Sequence, residues 1–186
     1  MSTPLVLIVP GLRDHVAEHW QTWLAEQWPG ALSLPPLGRV NLGLAQRMAD
    51  LETAVETAPA PVLLVAHSGG CVLVAHWARR TQCAHRVAGA LLATPPTFDR
   101  ELPPAYPALA ALDAAGWLPV PRQPLPFRSI VGVSRNDALG EYEAVCALAQ
   151  DWGSETVDLG PVGHLNPASG FGPWPQALEL IRQLHG

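Results

Sequence analysis

Ser68 stands in the segment Val65-Ala66-His67-Ser68-Gly69-Gly70, which runs on into Cys71-Val72-Leu73-Val74-Ala75-His76-Trp77. A β-branched run, a serine with small residues two places to either side, and then a helical run spell strand, sharp turn and helix. This is the G-x-S-x-G nucleophile elbow with alanine in the first glycine place. The small neighbours are a steric requirement, because bulky side chains there would clash across the turn. The serine also falls at a helix N-terminus, whose positive dipole end favours developing negative charge. A serine hydroxyl is a weak nucleophile by itself and needs a base, which in turn needs an orienting partner. Two later loops supply them. One apolar run empties into Ser134-Arg135-Asn136-Asp137, and another into Gly160-Pro161-Val162-Gly163-His164-Leu165-Asn166. The order Ser68, Asp137, His164, each after its own strand, is the order of a nucleophile, orienter and base on a parallel sheet. Taken singly, Asp137 also suits an Asx turn and His164 a capping or surface histidine.

Acyl transfer also requires donors for an oxyanion. The backbone N–H of Gly69 is one, and the loop Pro10-Gly11-Leu12-Arg13-Asp14 offers a second at Leu12, where Gly11 permits close backbone approach. Leu12, His67, Trp117 and Leu139 are the expected pocket lining. His15 and His19 share the i, i+4 spacing of a metal pair. Apart from Glu18, no acidic or histidine partner cluster joins them, so they read as helix-face residues, and no metal is expected. His76 lies on the helix behind the elbow, His85 and His185 read as surface positions, and Cys71 as core.

The elements that must position these groups are six apolar runs: Leu5–Val9, Ala31–Leu34, Val62–Ala66, Val87–Ala93, Phe127–Val133 and Glu155–Leu159. Four are almost continuously apolar, as strands buried on both faces of a parallel sheet must be. Between and after them lie helical patterns at His15–Gln27, Leu42–Thr57, Gly69–Arg80, Glu141–Trp152 and Trp174–His185. Leu44, Met48, Leu51 and Val55 follow the spacing of one buried helix face. The alternation predicts an α/β fold, an open and mainly parallel six-stranded sheet with helices on both faces. Residues 94–126 break the rhythm with nine of the chain's 20 prolines. That density rules out a regular crossover helix throughout, leaving a short helix near Tyr106–Ala115 inside a surface excursion or a wall beside the site.

The 186 residues suit a single domain. Hydrophobic residues make up 48% and charged residues 15%, too little charge for disorder. All 11 basic residues are arginines, which excludes a P-loop lysine, a pyridoxal-phosphate lysine and any lysine Schiff base. The net charge of −5 and the lack of a basic stripe argue against nucleic acid. Three cysteines without C-x-x-C spacing indicate neither a disulfide framework nor a zinc ribbon. No run approaches the roughly 20 apolar residues of a membrane span, and Leu5–Val9 lacks the positive flank of a signal peptide. These features lead to the expectation of a soluble cytoplasmic protein without a cofactor.

The blocks Val9-Pro10-Gly11-Leu12, His19-Trp20-Gln21, Ala66-His67-Ser68-Gly69-Gly70, Leu125-Pro126-Phe127 with Ser134-Arg135-Asn136-Asp137, and Gly163-His164-Leu165-Asn166 with Gly170-Phe171-Gly172-Pro173-Trp174-Pro175 span nearly the whole chain. Together they closely resemble the small serine hydrolases of the YdeN-like and retinoblastoma-binding-protein-nine-like group of α/β-hydrolases. The resemblance implies a lid-poor α/β-hydrolase fold of minimal size and a triad of Ser68, Asp137 and His164. Two departures stand out. Ala138-Leu139 replaces the Pro-Tyr that often follows the aspartate in this group, which alters the pocket rim. Asp14 replaces a small residue beside the oxyanion loop, and its carboxylate is expected to weaken anionic substrates. The expected function is hydrolysis of small carboxylic esters through an acyl-enzyme. The competing readings are an amidase, thioesterase or aminopeptidase on the same triad, and a non-catalytic module that keeps the fold to bind a protein.

Overall fold

The computed structural model describes residues 4–13, 16–35, 40–59 and 61–185. Six strands form one sheet: β1 (Leu5–Val9), β2 (Leu32–Ser33), β3 (Val62–His67), β4 (Val87–Ala93), β5 (Ser129–Val133) and β6 (Glu155–Asp158). Their order is β2-β1-β3-β4-β5-β6, and every neighbouring pair is parallel. The chain steps outward from β1 to β2, then returns to place β3 on the other side of β1. The carboxyl ends of β1 and β3 therefore flank the topological switch point, where open α/β sheets hold their ligands.

The near-continuous apolar runs follow from burial on both faces. Val6, Ile8, Leu63, Val65, Leu91, Ala93 and Ile130 point to one side. There they meet Trp20 and Leu24 of helix α1 (Trp20–Gln27) and Leu180, Ile181 and Leu184 of α6 (Gln176–His185). Leu7, Val9, Leu64, Ala66, Leu92, Val131 and Val133 point to the other. That side is covered by α2 (Leu44–Thr57), α3 (Gly69–Ala78) and α5 (Tyr142–Asp151). Of the predicted face of α2, Leu44, Leu51 and Val55 are core, and Met48 packs partly against it.

The element boundaries move inward from the sequence expectation where local chemistry intervenes. Helix α1 begins at Trp20, because His19 is extended (φ −76°, ψ 144°) and accepts the Gln21 N–H on its own Nδ1 at 3.1 Å. His19 thus caps the helix instead of lying on its face. His15, the other member of the proposed pair, lies outside the described residues, as does Asp14. Strand β2 shrinks to two exposed residues at the sheet edge, with one neighbour to hold it.

The proline-rich excursion carries one short helix, α4 (Leu109–Ala114), which starts just beyond Pro107. Its two halves do different things. The second half packs onto the core face: Trp117 is 1% exposed, its Nε1–H donates to Leu42 O at 2.8 Å, and its own carbonyl accepts from His76 Nε2 at 3.0 Å. Trp152 Nε1–H holds Pro121 O at 2.7 Å. The first half turns back across the carboxyl ends of the strands and contributes Pro96, Phe98, Leu102 and Tyr106 to the cavity there.

Candidate active site

Strand β3 delivers Ser68 at its carboxyl end in a conformation with φ 55° and ψ −129°. This left-handed φ is strained for a residue with a side chain. The flanks explain how it is held. Ser68 N–H continues the β3–β4 ladder by donating to Ala93 O at 3.0 Å. A Cβ on Gly70 would stand 2.5 Å from Val9 O and 2.7 Å from Pro10 O, so only glycine allows α3 to start this close to the end of β1. Among the described residues, three other non-glycine positions have positive φ: Thr94, Phe98 and Leu165. Phe98 lines the cavity beside Ser68, Thr94 directly follows β4, and Leu165 follows His164. Strain among the described residues is thus gathered at one edge of the sheet.

The loops after β5 and β6 bring the remaining groups to Ser68. The Ser68 hydroxyl donates to His164 Nε2 at 2.7 Å, and His164 Nδ1–H donates to Asp137 Oδ2 at 2.8 Å. The side chains of His164 and Asp137 are 7% and 2% exposed, so bulk water barely competes for these bonds. The other oxygen of Asp137 accepts the Leu139 N–H at 2.9 Å. The Asx turn that the sequence offered as an alternative therefore coexists with the histidine contact, one oxygen serving each.

Several supports carried no signal in the sequence. Asn136 Oδ1 accepts the Gly163 N–H at 2.6 Å, tying the aspartate loop to the histidine loop. Ser169 Oγ accepts the His164 N–H at 3.0 Å. His67 Nε2 lies 2.9 Å from His164 O, and a carbonyl can only accept, so this nitrogen carries the proton. Burial, followed by the neighbouring His164 and His19, pushes His67 well below the ordinary histidine value, so it is neutral. It lines the cavity and also anchors the backbone of the residue that faces Ser68.

The loop after β1 packs on the elbow. A Cβ on Gly69 would lie 2.8 Å from Leu12 Cγ and 3.4 Å from Leu12 N, and one on Gly11 would lie 3.1 Å from Ser68 Cβ. Gly69 opens α3, so its N–H has no partner within the helix. Two buried side chains hold this arrangement from either face of the sheet. Gln21 Nε2 donates to Val9 O at 3.2 Å and to Val65 O at 3.1 Å, bridging the ends of β1 and β3. Arg47, 5% exposed, donates from one terminal nitrogen to Leu12 O at 3.3 Å and to Asn41 O at 3.1 Å. Neither stands out in the sequence, since a buried arginine at a helix position reads as an exposed one.

The cavity over Ser68 has a volume of about 170 Å³, well below the ~300–1,000 Å³ of sites for drug-sized ligands. Leu12, His67 and Leu139 are among the residues that line it. Trp117 is not. Its indole belongs to the core and donates to Leu42 O, and the aromatic walls come instead from Phe98 and Tyr106, earlier in the same excursion. His19 also lines the cavity, through its position ahead of α1. Cys71 is fully buried, and burial raises its thiol well above the ordinary value, so it is no nucleophile. Among the described residues, no group of three or more His, Cys, Asp or Glu side chains is placed to hold a metal ion, and no helix is long and apolar enough to cross a membrane.

Such an arrangement can pass a proton from a serine to an imidazole whose charge a carboxylate stabilises. Known proteins share this architecture. A YdeN-like hydrolase from Pectobacterium atrosepticum superposes with a TM-score of 0.80 at 27% identity, over 98% of this chain and 92% of its own. The ydeN gene product of B. subtilis gives a TM-score of 0.75 at 18% identity, over 98% of each chain. A thermophilic esterase from Thermogutta terrifontis shares the fold with a TM-score of 0.68 at 18% identity, over 100% of this chain and 92% of its own. A comparison with curated proteins returns no match. The family model described as serine hydrolase matches residues 6–183. The chain belongs to this serine hydrolase family, as a YdeN-like small hydrolase of the α/β-hydrolase superfamily.

Proposed function

We propose that this hydrolase cleaves small carboxylic esters through an acyl-enzyme on Ser68. The observation that carries the reading is the unbroken chain of hydrogen bonds from Ser68 Oγ through His164 to Asp137, at 2.7 and 2.8 Å. In the first half-reaction Ser68 Oγ attacks the ester carbonyl carbon and its proton passes to His164 Nε2. Asp137 stabilises the imidazolium that results. The carbonyl oxygen becomes an oxyanion, held by the N–H groups of Gly69 and Leu12. Collapse of this tetrahedral species breaks the bond to the alkoxy oxygen, which takes the proton from His164 and leaves as an alcohol. Water then attacks the acyl-serine with His164 again as base. A carboxylic acid is released and the Ser68 hydroxyl is restored. A binding module would have no use for these three groups in this geometry.

The small cavity supports short acyl groups. Each buried methylene contributes about 0.8 kcal/mol, and a chain that outgrows the cavity leaves its remainder in water. Activity on p-nitrophenyl esters is expected to peak at about two to six acyl carbons on that argument, with no jump at a lipid–water interface. The decisive test is labelling by a fluorophosphonate probe together with ester turnover, in the wild type and in Ser68→Ala. The variant is expected to lose labelling and about 10⁴–10⁶ in kcat. Undiminished turnover in Ser68→Ala would refute the assignment, and a preference for long-chain or emulsified esters would refute the size argument.

A further inference from the structure

Arg13 is the one side chain of fixed charge among the described residues that line the cavity; His67 is held neutral, and no Asp or Glu appears there. It is exposed, and its guanidinium lies over the Tyr106 ring at 5.5 Å from the centroid. Tyr106 in turn meets the His164 ring edge-on, with centroids 6.1 Å apart. The cation is thereby placed two ring contacts from the reacting histidine, on the wall built by the oxyanion loop and the proline-rich excursion. A guanidinium placed over a ring keeps its N–H donors for a bidentate carboxylate. The described contact of Arg13 is the Tyr106 ring. The chain as a whole carries −5, so a cationic cavity mouth runs against its overall charge.

We infer that Arg13 is a recognition site for a carboxylate on the substrate, so that the preferred esters are half-esters of short dicarboxylic acids. The inference rests on the ester reading above and specifies its substrate class. The guanidinium lies over the Tyr106 ring at the cavity wall. A carboxylate reaching it spans the apolar cavity with its short methylene chain. Its ester carbonyl then lies at Ser68.

The test compares monoethyl glutarate and monoethyl adipate with the ω-carboxamide esters of the same length, by pH-stat titration. The carboxamide keeps size and shape and removes the charge. The wild type is expected to favour the acid by about five- to tenfold in kcat/KM, the range of a charge-assisted hydrogen bond at a partly exposed site. The acid-to-amide ratio is expected to fall to near one in Arg13→Gln and to invert in Arg13→Glu. Raising the salt concentration from low to half-molar should shrink the wild-type preference. A wild-type ratio near one, or a ratio unmoved by Arg13→Gln, overturns the inference while leaving the ester reading intact, provided turnover is lost in Ser68→Ala. If none of the esters is turned over, or turnover survives in Ser68→Ala, the ester reading falls and this inference with it.

Discussion

Replacing Asp137 by asparagine tests how the histidine is oriented, because the structure dictates which way the new amide must face. Asp137 uses its two oxygens differently: Oδ1 accepts the Leu139 N–H and Oδ2 accepts His164 Nδ1–H. In Asp137→Asn one oxygen becomes an NH₂ group, which can only donate. Keeping the carbonyl oxygen on Leu139 N–H preserves the turn and aims the NH₂ at His164 Nδ1. The imidazole must then accept on Nδ1 and carry its proton on Nε2, where Ser68 needs an acceptor. Flipping the amide restores the productive tautomer but sets NH₂ against the Leu139 N–H. That leaves two donors face to face, at a cost of about 1–3 kcal/mol. The unproductive tautomer is therefore the dominant state, and its imidazolium has also lost the buried carboxylate. The expected result is a fall in kcat of about 10³–10⁴ on a short-chain p-nitrophenyl ester, with fluorophosphonate labelling slowed in parallel. The change is isosteric, so the thermal midpoint should move by only a few degrees. A loss below tenfold in a variant shown to be folded at the assay temperature would show that Asp137 does not orient His164.

Three further outcomes follow from individual contacts. Ser68 holds φ at 55° and makes no side-chain cap, so Ser68→Gly should abolish turnover while raising stability by about 1 kcal/mol in chemical denaturation; a destabilised Ser68→Gly would contradict the strain argument. His67 and His76 are both held below the ordinary histidine value of 6.5, chiefly by burial, so below about pH 6.5 the unfolded chain takes up protons that the folded chain refuses. Stability should fall on acidification by up to about 1.4 kcal/mol per pH unit for each such group, and His67→Phe should flatten that slope between pH 6.5 and 5; an unaltered slope would remove His67 as a cause. Trp117→Leu deletes a buried indole and orphans Leu42 O, so it should cost about 2–4 kcal/mol in urea unfolding with KM unchanged, whereas a role in the pocket would move KM.

The fold and the three central residues were legible in the sequence for related physical reasons. A strand buried on both sides must be continuously apolar, so Leu5–Val9 and Val62–Ala66 declared themselves without any tertiary information. The elbow is a local steric device whose requirement for small residues is written in adjacent positions, and it fixes where Ser68 must stand. Asp137 and His164 could be singled out because parallel strands deliver all their carboxyl ends to one edge, so loop placement predicts proximity. What the sequence could not decide is which side chains turn inward between those landmarks. Trp117 and Tyr106 belong to one proline-rich segment, and nothing local distinguishes the ring that fills the core from the ring that walls the cavity. Arg47, Gln21 and Asn136 act on backbone groups 27 to 44 residues away, through bonds that exist only once the sheet has assembled. Arg13 becomes a cation over Tyr106 only when the excursion folds back over β1. Periodicity and local sterics are properties of neighbours in the chain and can be read from it, whereas a polar contact between distant segments depends on the angle at which packed elements meet, which the tertiary structure alone sets.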